Sequence, residues 1–427
     1  MRIKMSWLVG TLVALALVEQ AAAAAATLCS KQPYGEALLT PDATGPARLD
    51  VLHKATFVRA ERDFRPVPEV SPNGKSYFIV RGRLGLQFGP EPEGSSPQVV
   101  ELPEVVDVGY GGSAPMPFAW QADSRAVFGA SQARMYPRGG WALDGWQPLR
   151  IWLDGRIESL PKLNHLSGEL DSLQWAGGHG LALAQFGTTG GLYRPERKNS
   201  NPAFAFVDAA RGRVLTTIPF ETIPGVRPRR NGSDYAIFSG PVSVTLRPNG
   251  KLRALVKVAG GPWVILDQDH PPRVAPIPDM STGSGGVALS ADGERVLVAP
   301  SLRASGIVCE HNPDCPKPAP VEGQFAALYD LETGKRLWEL RATATDFWSY
   351  PLPALNANGS LALVGLPGSE LDSWPTVALV STRTGGILQT LCAADSSSNV
   401  LSFLPDGRMA LSGVGHFAVY GLAFRGR

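Results

Sequence analysis

The chain carries almost no surplus of either charge: 40 Lys and Arg stand against 38 Asp and Glu, a formal net charge of +2. A polybasic nucleic-acid binder needs many cations to displace the counterions of a phosphate backbone, so that class is excluded and no nucleic-acid partner is expected. Long apolar runs are missing after the first 26 residues, which leaves no candidate for an integral membrane segment in the remainder. Histidine is scarce and scattered: His53, His165, His179, His270, His311 and His416 show no spacing that would gather a metal. HExxH, GxSxG, the phosphate-cradling GxxxxGK[ST] loop and the haem-attaching CxxCH are all missing. Gly109-Tyr-Gly-Gly-Ser-Ala114 loosely imitates a dinucleotide loop, but no helix pattern follows and it reads as a plain loop. No catalytic residue, cofactor or metal is therefore assigned.

Turn formers, by contrast, are abundant. Gly 47 and Pro 37 make about one fifth of the 427 residues, and hydrophobic residues make 44%. Dispersed turn formers among apolar residues point to many short strands rather than long helices. At the N-terminus, Arg2 and Lys4 precede the apolar stretch Trp7 to Val18 and the small-residue tail Ala21 to Ala26. This is the layout of a cleavable export signal. Residues 1–26 are thus expected to be removed, leaving 27–427 as one periplasmic or secreted domain. In such an oxidising compartment the even set Cys29, Cys309, Cys315 and Cys392 reads as two disulfides. The short loop between Cys309 and Cys315 suits one bridge, which leaves Cys29 with Cys392.

One signature recurs along the chain: an apolar strand, a Pro/Asp/Asn-Gly turn and a second apolar strand. It occurs at Val70–Gly74, Trp120–Ser124, Trp175–His179, Leu246–Gly250, Leu289–Gly293, Leu355–Gly359 and Leu404–Gly407. A two-residue hairpin turn with positive φ at its centre is expected at each. A second hairpin follows most copies, clearest at Phe204–Pro219, Trp263–Pro278, Phe325–Arg341 and Thr376–Cys392. Two hairpins per unit give four antiparallel strands in each of seven units. The seventh unit ends one strand short. Arg48 to Phe57, within the arm 27–57, is the natural donor of that strand and would close the ring.

This pattern resembles the WD-repeat and quinoprotein-like β-propeller superfamily, in its exported bacterial form, over nearly all of the mature chain. The fold expected is all-β, a seven-bladed β-propeller of four-stranded antiparallel blades. Asp330-Leu-Glu-Thr333-Gly334-Lys335-Arg-Leu-Trp338 is similar to the tryptophan-docking repeat of quinoprotein alcohol dehydrogenases, and Asp208-Ala-Ala-Arg-Gly212-Arg-Val-Leu215 to a degenerate copy. In that family the Asp and Thr-Gly tie the turn while the Trp locks neighbouring blades. The match implies blade packing, because the ring of such motifs, the cofactor ligands and the vicinal Cys pair of quinone chemistry are not evident.

The long connections should all leave the same end of the blades, between the second and third strands and between the fourth strand and the next blade. They are Gln132–Pro148 with Tyr136, Arg138, Trp141 and Trp146; Thr188–Pro202 with Tyr193 and Arg194; Glu221–Gly240 with Arg229 and Arg230; Ser301–Gln324; and Ala342–Tyr350 with Trp348. Aromatic residues and Arg on loops of a rigid scaffold suit a binding face. The reading is a non-enzymatic exported propeller that binds a protein or an envelope glycan there. The competing reading is a quinoprotein-like oxidoreductase or lactonase-type hydrolase at the central channel mouth. Only Glu69, Glu169 and Asp171 supply carboxylates in or beside the inner strands for it.

Overall fold

Short apolar runs separated by turn residues build strands almost exclusively in the computed structural model, with three single 3₁₀ turns among the described residues. The structure describes residues 40–41, 47–56, 68–81, 85–89, 99–101, 118–136, 140–161, 163, 170–186, 203–226, 243–258, 261–278, 286–299, 302–303, 321–344, 346–347, 353–366, 376–392, 400–413 and 416–424. Strands β1 (Thr40–Pro41) and β2 (Ala47–Thr56) precede the first blade. Blade 1 holds β3 (Glu69–Val70), β4 (Tyr77–Arg81), β5 (Gly85–Gly89) and β6 (Val99–Glu101). Blade 2 holds β7 (Ala119–Trp120), β8 (Ala126–Tyr136), β9 (Gly140–Trp152) and β10 (Ile157–Ser159). Blade 3 holds β11 (Leu170–Trp175), β12 (Leu181–Phe186), β13 (Ala203–Asp208) and β14 (Arg213–Pro219). Blade 4 holds β15 (Ser243–Leu246), β16 (Leu252–Lys257), β17 (Trp263–Asp267) and β18 (Arg273–Val274). Blade 5 is β19 (Gly286–Leu289), β20 (Arg295–Ala299), β22 (Val321–Asp330) and β23 (Arg336–Ala344), with β21 (Leu302–Arg303) and β24 (Asp346–Phe347) paired beside it. Blade 6 holds β25 (Ala354–Leu355), β26 (Leu361–Leu366), β27 (Thr376–Ser381) and β28 (Ile387–Cys392). Blade 7 holds β29 (Val400–Phe403), β30 (Met409–Gly413) and β31 (His416–Phe424).

Seven four-stranded antiparallel sheets of this order make an all-β, seven-bladed β-propeller, as the repeat predicts. The missing outer strand of blade 7 is β2, paired antiparallel with β31 from Ala47↔Phe424 to Thr56↔His416. The expected donor, Arg48 to Phe57, lies one residue out of step with it. Unforeseen in the sequence, β1 adds a fifth strand to blade 6 through Thr40↔Cys392 and Pro41↔Leu391. Contacts divide the chain into two compact units. One contains blades 1 to 4 (Phe57–Asp279 with Ala291–Gly293), and the other blades 5 to 7 with β1 and β2 (Met1–Thr56, Met280–Ser290, Glu294–Arg427).

With no α-helix among the described residues to cover them, the sheets bury both faces on neighbouring sheets, so inner strands read as continuous apolar runs. Every residue of β16 and β17 is buried. In the first unit Phe78, Phe118, Trp120 and Ile151 join blades 1 and 2, Phe128, Trp175 and Val207 join blades 2 and 3, and Phe206, Phe220, Val256 and Leu266 join blades 3 and 4. In the second, Leu328, Trp338, Val364 and Val380 join blades 5 and 6, and Leu379, Leu391, Met409 and Tyr420 join blades 6 and 7.

The turns differ from the expected two-residue type. In the first copy, Ser71 N–H donates to Ser76 O (2.8 Å) and Gly74 N–H to Ser71 O (2.8 Å), which encloses a longer turn. Only Gly74 (φ 69°) adopts a positive φ there; Asn73 does not. Asn73 instead accepts from the Lys75 amide through Oδ1 (2.9 Å), as Asp123 does from Arg125 (3.0 Å), Asn249 from Lys251 (3.0 Å) and Asp406 from Arg408 (3.1 Å). The Asx residue is selected for its side-chain acceptor and the glycine for its backbone freedom.

Blade 2 replaces that glycine with Ser124, the sole non-glycine with positive φ (61°) among the described residues. Its buried Oγ accepts from the Asn73 amide of blade 1 (3.0 Å), a contact glycine could not make. Ser124→Ala should therefore cost about 1–3 kcal/mol, since it keeps the left-handed strain and orphans a donor. Ser124→Gly relieves the strain and should cost less. Urea unfolding of the two variants decides; an equal or larger loss in the glycine variant would refute the account.

Candidate binding surface

Among the described residues, several turns joining first to second and third to fourth strands are closed by main-chain hydrogen bonds. Examples are Gly250 N to Arg247 O (2.9 Å), Gly359 N to Asn356 O (2.8 Å) and Gly385 N to Ser381 O (2.8 Å). The other end of the blades is elaborated. In blade 2, β8 and β9 continue past the sheet as a two-stranded ribbon, with Ala133↔Leu143, Met135↔Trp141 and Tyr136↔Gly140 in register. The expected loop Gln132–Pro148 is thus mostly β-ribbon. Its pairing slips between Ser131 and Ala133, where the partner register jumps from Gln147 to Leu143. In blade 5, Val321 to Gln324 of β22 pair with Ala344 to Arg341 of β23, and β21–β24 adds a second small ribbon at that end. Parts of the expected loops Ser301–Gln324 and Ala342–Tyr350 are therefore strand as well. Glu221–Gly240 begins in a 3₁₀ turn, Phe220–Thr222, whose Phe220 is buried.

Of the residues expected on the binding face, the structure places Tyr136 at the end of β8, and Trp141 and Trp146 on β9, as backbone positions of the blade-2 ribbon. Arg138, Tyr193, Arg194, Arg229, Arg230 and Trp348 lie outside the described residues, as do Cys29, Cys309, Cys315, Glu169 and residues 1–26. Cys392 is the last residue of β28. Among the described residues, no group of three or more His, Cys, Asp or Glu could hold a metal ion.

The segment Asp330–Trp338 forms a tied turn and a lock between two blades. Asp330 Oδ1 accepts from the Thr333 amide (2.8 Å) and from Thr333 Oγ1 (2.7 Å), and these bonds hold its carboxyl below the usual carboxylate range. Trp338 Nε1 reaches across the seam to Thr382 O of blade 6 (2.8 Å). Its ring rests on Gly385 (φ 71°), where an added Cβ would come within 2.8 Å of Trp338 Cβ. The copy in blade 3 keeps the tied turn without the Trp. Asp208 accepts from Arg211 N (3.0 Å), Arg211 Nη1 (3.0 Å) and Arg213 Nη2 (3.3 Å). There Thr216 Oγ1 reaches Gln268 O of blade 4 (2.8 Å), so an outer strand again grips the next blade's turn.

Sequence reasoning missed a charged cluster in blade 4. Arg253 forms a two-pronged pair with Asp267, Nε to Oδ1 at 2.7 Å and Nη2 to Oδ2 at 3.1 Å. Its remaining Nη1 donates to Gly293 O (2.8 Å). Both side chains are buried. Arg247 binds Asp269 (2.8 Å), and His270 Nδ1 lies 2.9 Å from the same oxygen. Burial raises the Asp269 pKa, but the His270 bond and the Arg247 charge outweigh it, so the net shift is downward. The available signal was Arg253 inside LRALVK, a charge at a position whose neighbours are all core. The cluster grips a turn and offers no open site.

Glu69 differs. It sits on the first strand of blade 1, its carbonyl accepts from Trp120 Nε1 (2.8 Å), and burial raises its pKa from 4.5 to about 8.

No family model matches the chain, and no curated protein matches it. Among solved structures it is similar to the β-propeller domain of Cps50 (Swd1) from Myceliophteria thermophila. The identity is 10%, the alignment covers 87% of this chain and 99% of that chain, and the TM-score is 0.45. The fold assignment rests on the sheet order itself.

Two outcomes are expected. Trp338→Phe loses one hydrogen bond and should cost about 1 kcal/mol, whereas Trp338→Ala leaves a seam cavity and should cost about 3–5 kcal/mol. Equal losses in thermal or urea unfolding would contradict the docking role. For Glu69, the carboxyl is protonated in both states below about 4.5, whereas between 4.5 and about 8 only the folded chain keeps its proton. Stability should therefore fall across that window, with a slope of about 1.4 kcal/mol per pH unit, and level off above it. Urea unfolding from pH 4 to 9 should show that fall in the wild type and a shallower one in Glu69→Gln; superimposable curves would reject the raised pKa.

Proposed function

We propose that the protein is a non-enzymatic propeller that binds a partner protein, with an envelope glycan as the alternative ligand, through the elaborated end of its blades. The observation that carries this reading is the blade-2 ribbon, in which β8 and β9 run past their sheet, whereas the described turns at the other end of that blade close on themselves. An isolated two-stranded ribbon is marginal in water, so its extra length suits contact with something else. Tyr136, Trp141 and Trp146 belong to that ribbon, and aromatic residues are the types that dominate binding energy. In the same reading Arg138, Tyr193, Arg194, Arg229, Arg230 and Trp348 extend the surface.

Export completes the proposal: residues 1–26 act as a cleaved signal, and Cys29–Cys392 and Cys309–Cys315 close as disulfides in the oxidising compartment. The register Thr40↔Cys392 supports the first bridge, because it brings the arm that carries Cys29 to the strand that ends in Cys392.

The test replaces residues 132–146 by Asn-Gly, which joins the paired residues Ser131 and Gln147 through a two-residue turn. The variant should melt within a few degrees of the wild type and should lose the partner that the mature wild type retains from an envelope fraction. A partner held equally by both would remove the ribbon from the binding surface.

A further inference from the structure

Asparagine followed by glycine is the pair most open to self-modification: with no Cβ beside it, the glycine nitrogen reaches the preceding carboxamide carbon without steric hindrance. The chain has Asn73-Gly74, Asn231-Gly232, Asn249-Gly250 and Asn358-Gly359. Asn231 and Gly232 lie outside the described residues. The other three pairs stand in the first turns of blades 1, 4 and 6, and there the glycine nitrogen is held alike. Gly74 donates to Ser71 O (2.8 Å), Gly250 to Arg247 O (2.9 Å) and Gly359 to Asn356 O (2.8 Å). The carboxamides are held unequally. Asn73 Oδ1 accepts from Ser71 Oγ (2.7 Å) and the Lys75 amide (2.9 Å), and the Asn73 amide is tied to Ser124 Oγ (3.0 Å). Asn358 Oδ1 accepts from the Ser360 amide (3.0 Å) and Ser360 Oγ (2.6 Å). Asn249 Oδ1 has one donor among the described residues, the Lys251 amide (3.0 Å). Solvent access runs in the same order: Gly74 is buried, Gly359 half-buried and Gly250 exposed.

We propose that Asn249 is a site of spontaneous covalent modification, converting to isoaspartate and aspartate ahead of Asn358 and Asn73. Gly250 N gives up its proton to hydroxide and bonds to Asn249 Cγ. The Cγ–Nδ2 bond breaks, and ammonia leaves with a proton taken back from water. Water then opens the five-membered imide, and nothing is oxidised or reduced. Opening at Cγ gives aspartate. Opening at the main-chain carbonyl gives isoaspartate, which routes the chain through Cγ and lengthens the backbone by one atom. Attack requires the carboxamide to leave its donors and the glycine amide to meet solvent, and blade 4 resists both steps least. The longer backbone no longer fits the bond from Gly250 N to Arg247 O, in the turn from which Arg247 reaches Asp269 (2.8 Å). Ageing thus begins at the grip on the turn of blade 4.

The test incubates the folded full chain at neutral pH and body temperature and follows each Asn-Gly peptide by mass spectrometry, with fragmentation that separates isoaspartate from aspartate. Asn249 should convert about fivefold faster than Asn358, the factor that one additional hydrogen bond imposes, and Asn73 should be slower still. In urea the three should convert at similar rates, because each is then the same exposed dipeptide. Ser360→Ala removes the Oγ donor while keeping the Ser360 amide, and it should speed conversion at Asn358 several-fold without changing Asn249. A folded-chain rate at Asn249 no higher than at Asn358 overturns the site. An unmoved rate at Asn358 in Ser360→Ala overturns the account of what protects the other turns.

Discussion

A sheet with two apolar faces and no helix to cover either can persist only against another sheet, and that constraint governs this molecule. Within each unit every blade supplies half of its neighbour's core, as Phe128 and Trp175 do across the blade 2–3 seam and Leu328 and Val364 across the blade 5–6 seam. Seams of this kind leave stray polar groups at their margins, where an unpaired donor or acceptor costs about 1–3 kcal/mol. Several bonds cross between blades, among them Trp120 to Glu69 O, Thr216 to Gln268 O, Trp338 to Thr382 O and Arg253 to Gly293 O. Each also fixes how far one blade slides along the next. The Arg253–Asp267 pair fits that role better than a stabilising one, because removing two charges from water offsets most of their attraction.

Architecture was legible because its signals repeat. Seven apolar–turn–apolar copies and a deficit of one strand were enough to name β2 as the donor, since Asn/Asp-Gly marks the turns and β-branched and aromatic residues mark the strands. The turn type was misjudged because Asn-Gly suits two geometries, and only the main-chain pattern tells whether the Asx residue supplies φ or a side-chain acceptor. Arg253 and Asp267 escaped notice for the opposite reason: each stands alone in its stretch of apolar residues, and their meeting depends on the register of β16 with β17. β1 gave no signal, because two residues ending in Pro carry no periodicity. Residues in Ala133–Tyr136 and Gly140–Leu143 read as loop from the Gly, Pro and Arg content around them, yet beyond the register shift after Ser131 they continue as paired strands.

The blades divide rigidity and variation between their two ends. At the hydrogen-bonded end, Asx turns recur in blades 1, 2, 4, 6 and 7, and they help fix the strand register there. At the other end the connections are free to lengthen, because they join strands already held by the core. Insertion there perturbs the fold little, which is why extra ribbon has accumulated in blades 2 and 5 rather than in the turns.

The pairing of β2 with β31 has a further consequence in time. β2 lies near the start of the chain and β31 near its end, so the last blade is assembled from segments separated by nearly the whole sequence. Contacts of such high separation form late and slowly. Until they form, β2 remains a ten-residue strand without its partner, bearing Val51 and Leu52, which stay about half exposed even in the finished fold. The bulge between Val51 and His53 interrupts that strand's regular edge. A kinked edge is a poor template for another chain, so the same bulge that bends the closing strand also protects the nascent protein from pairing with its neighbours.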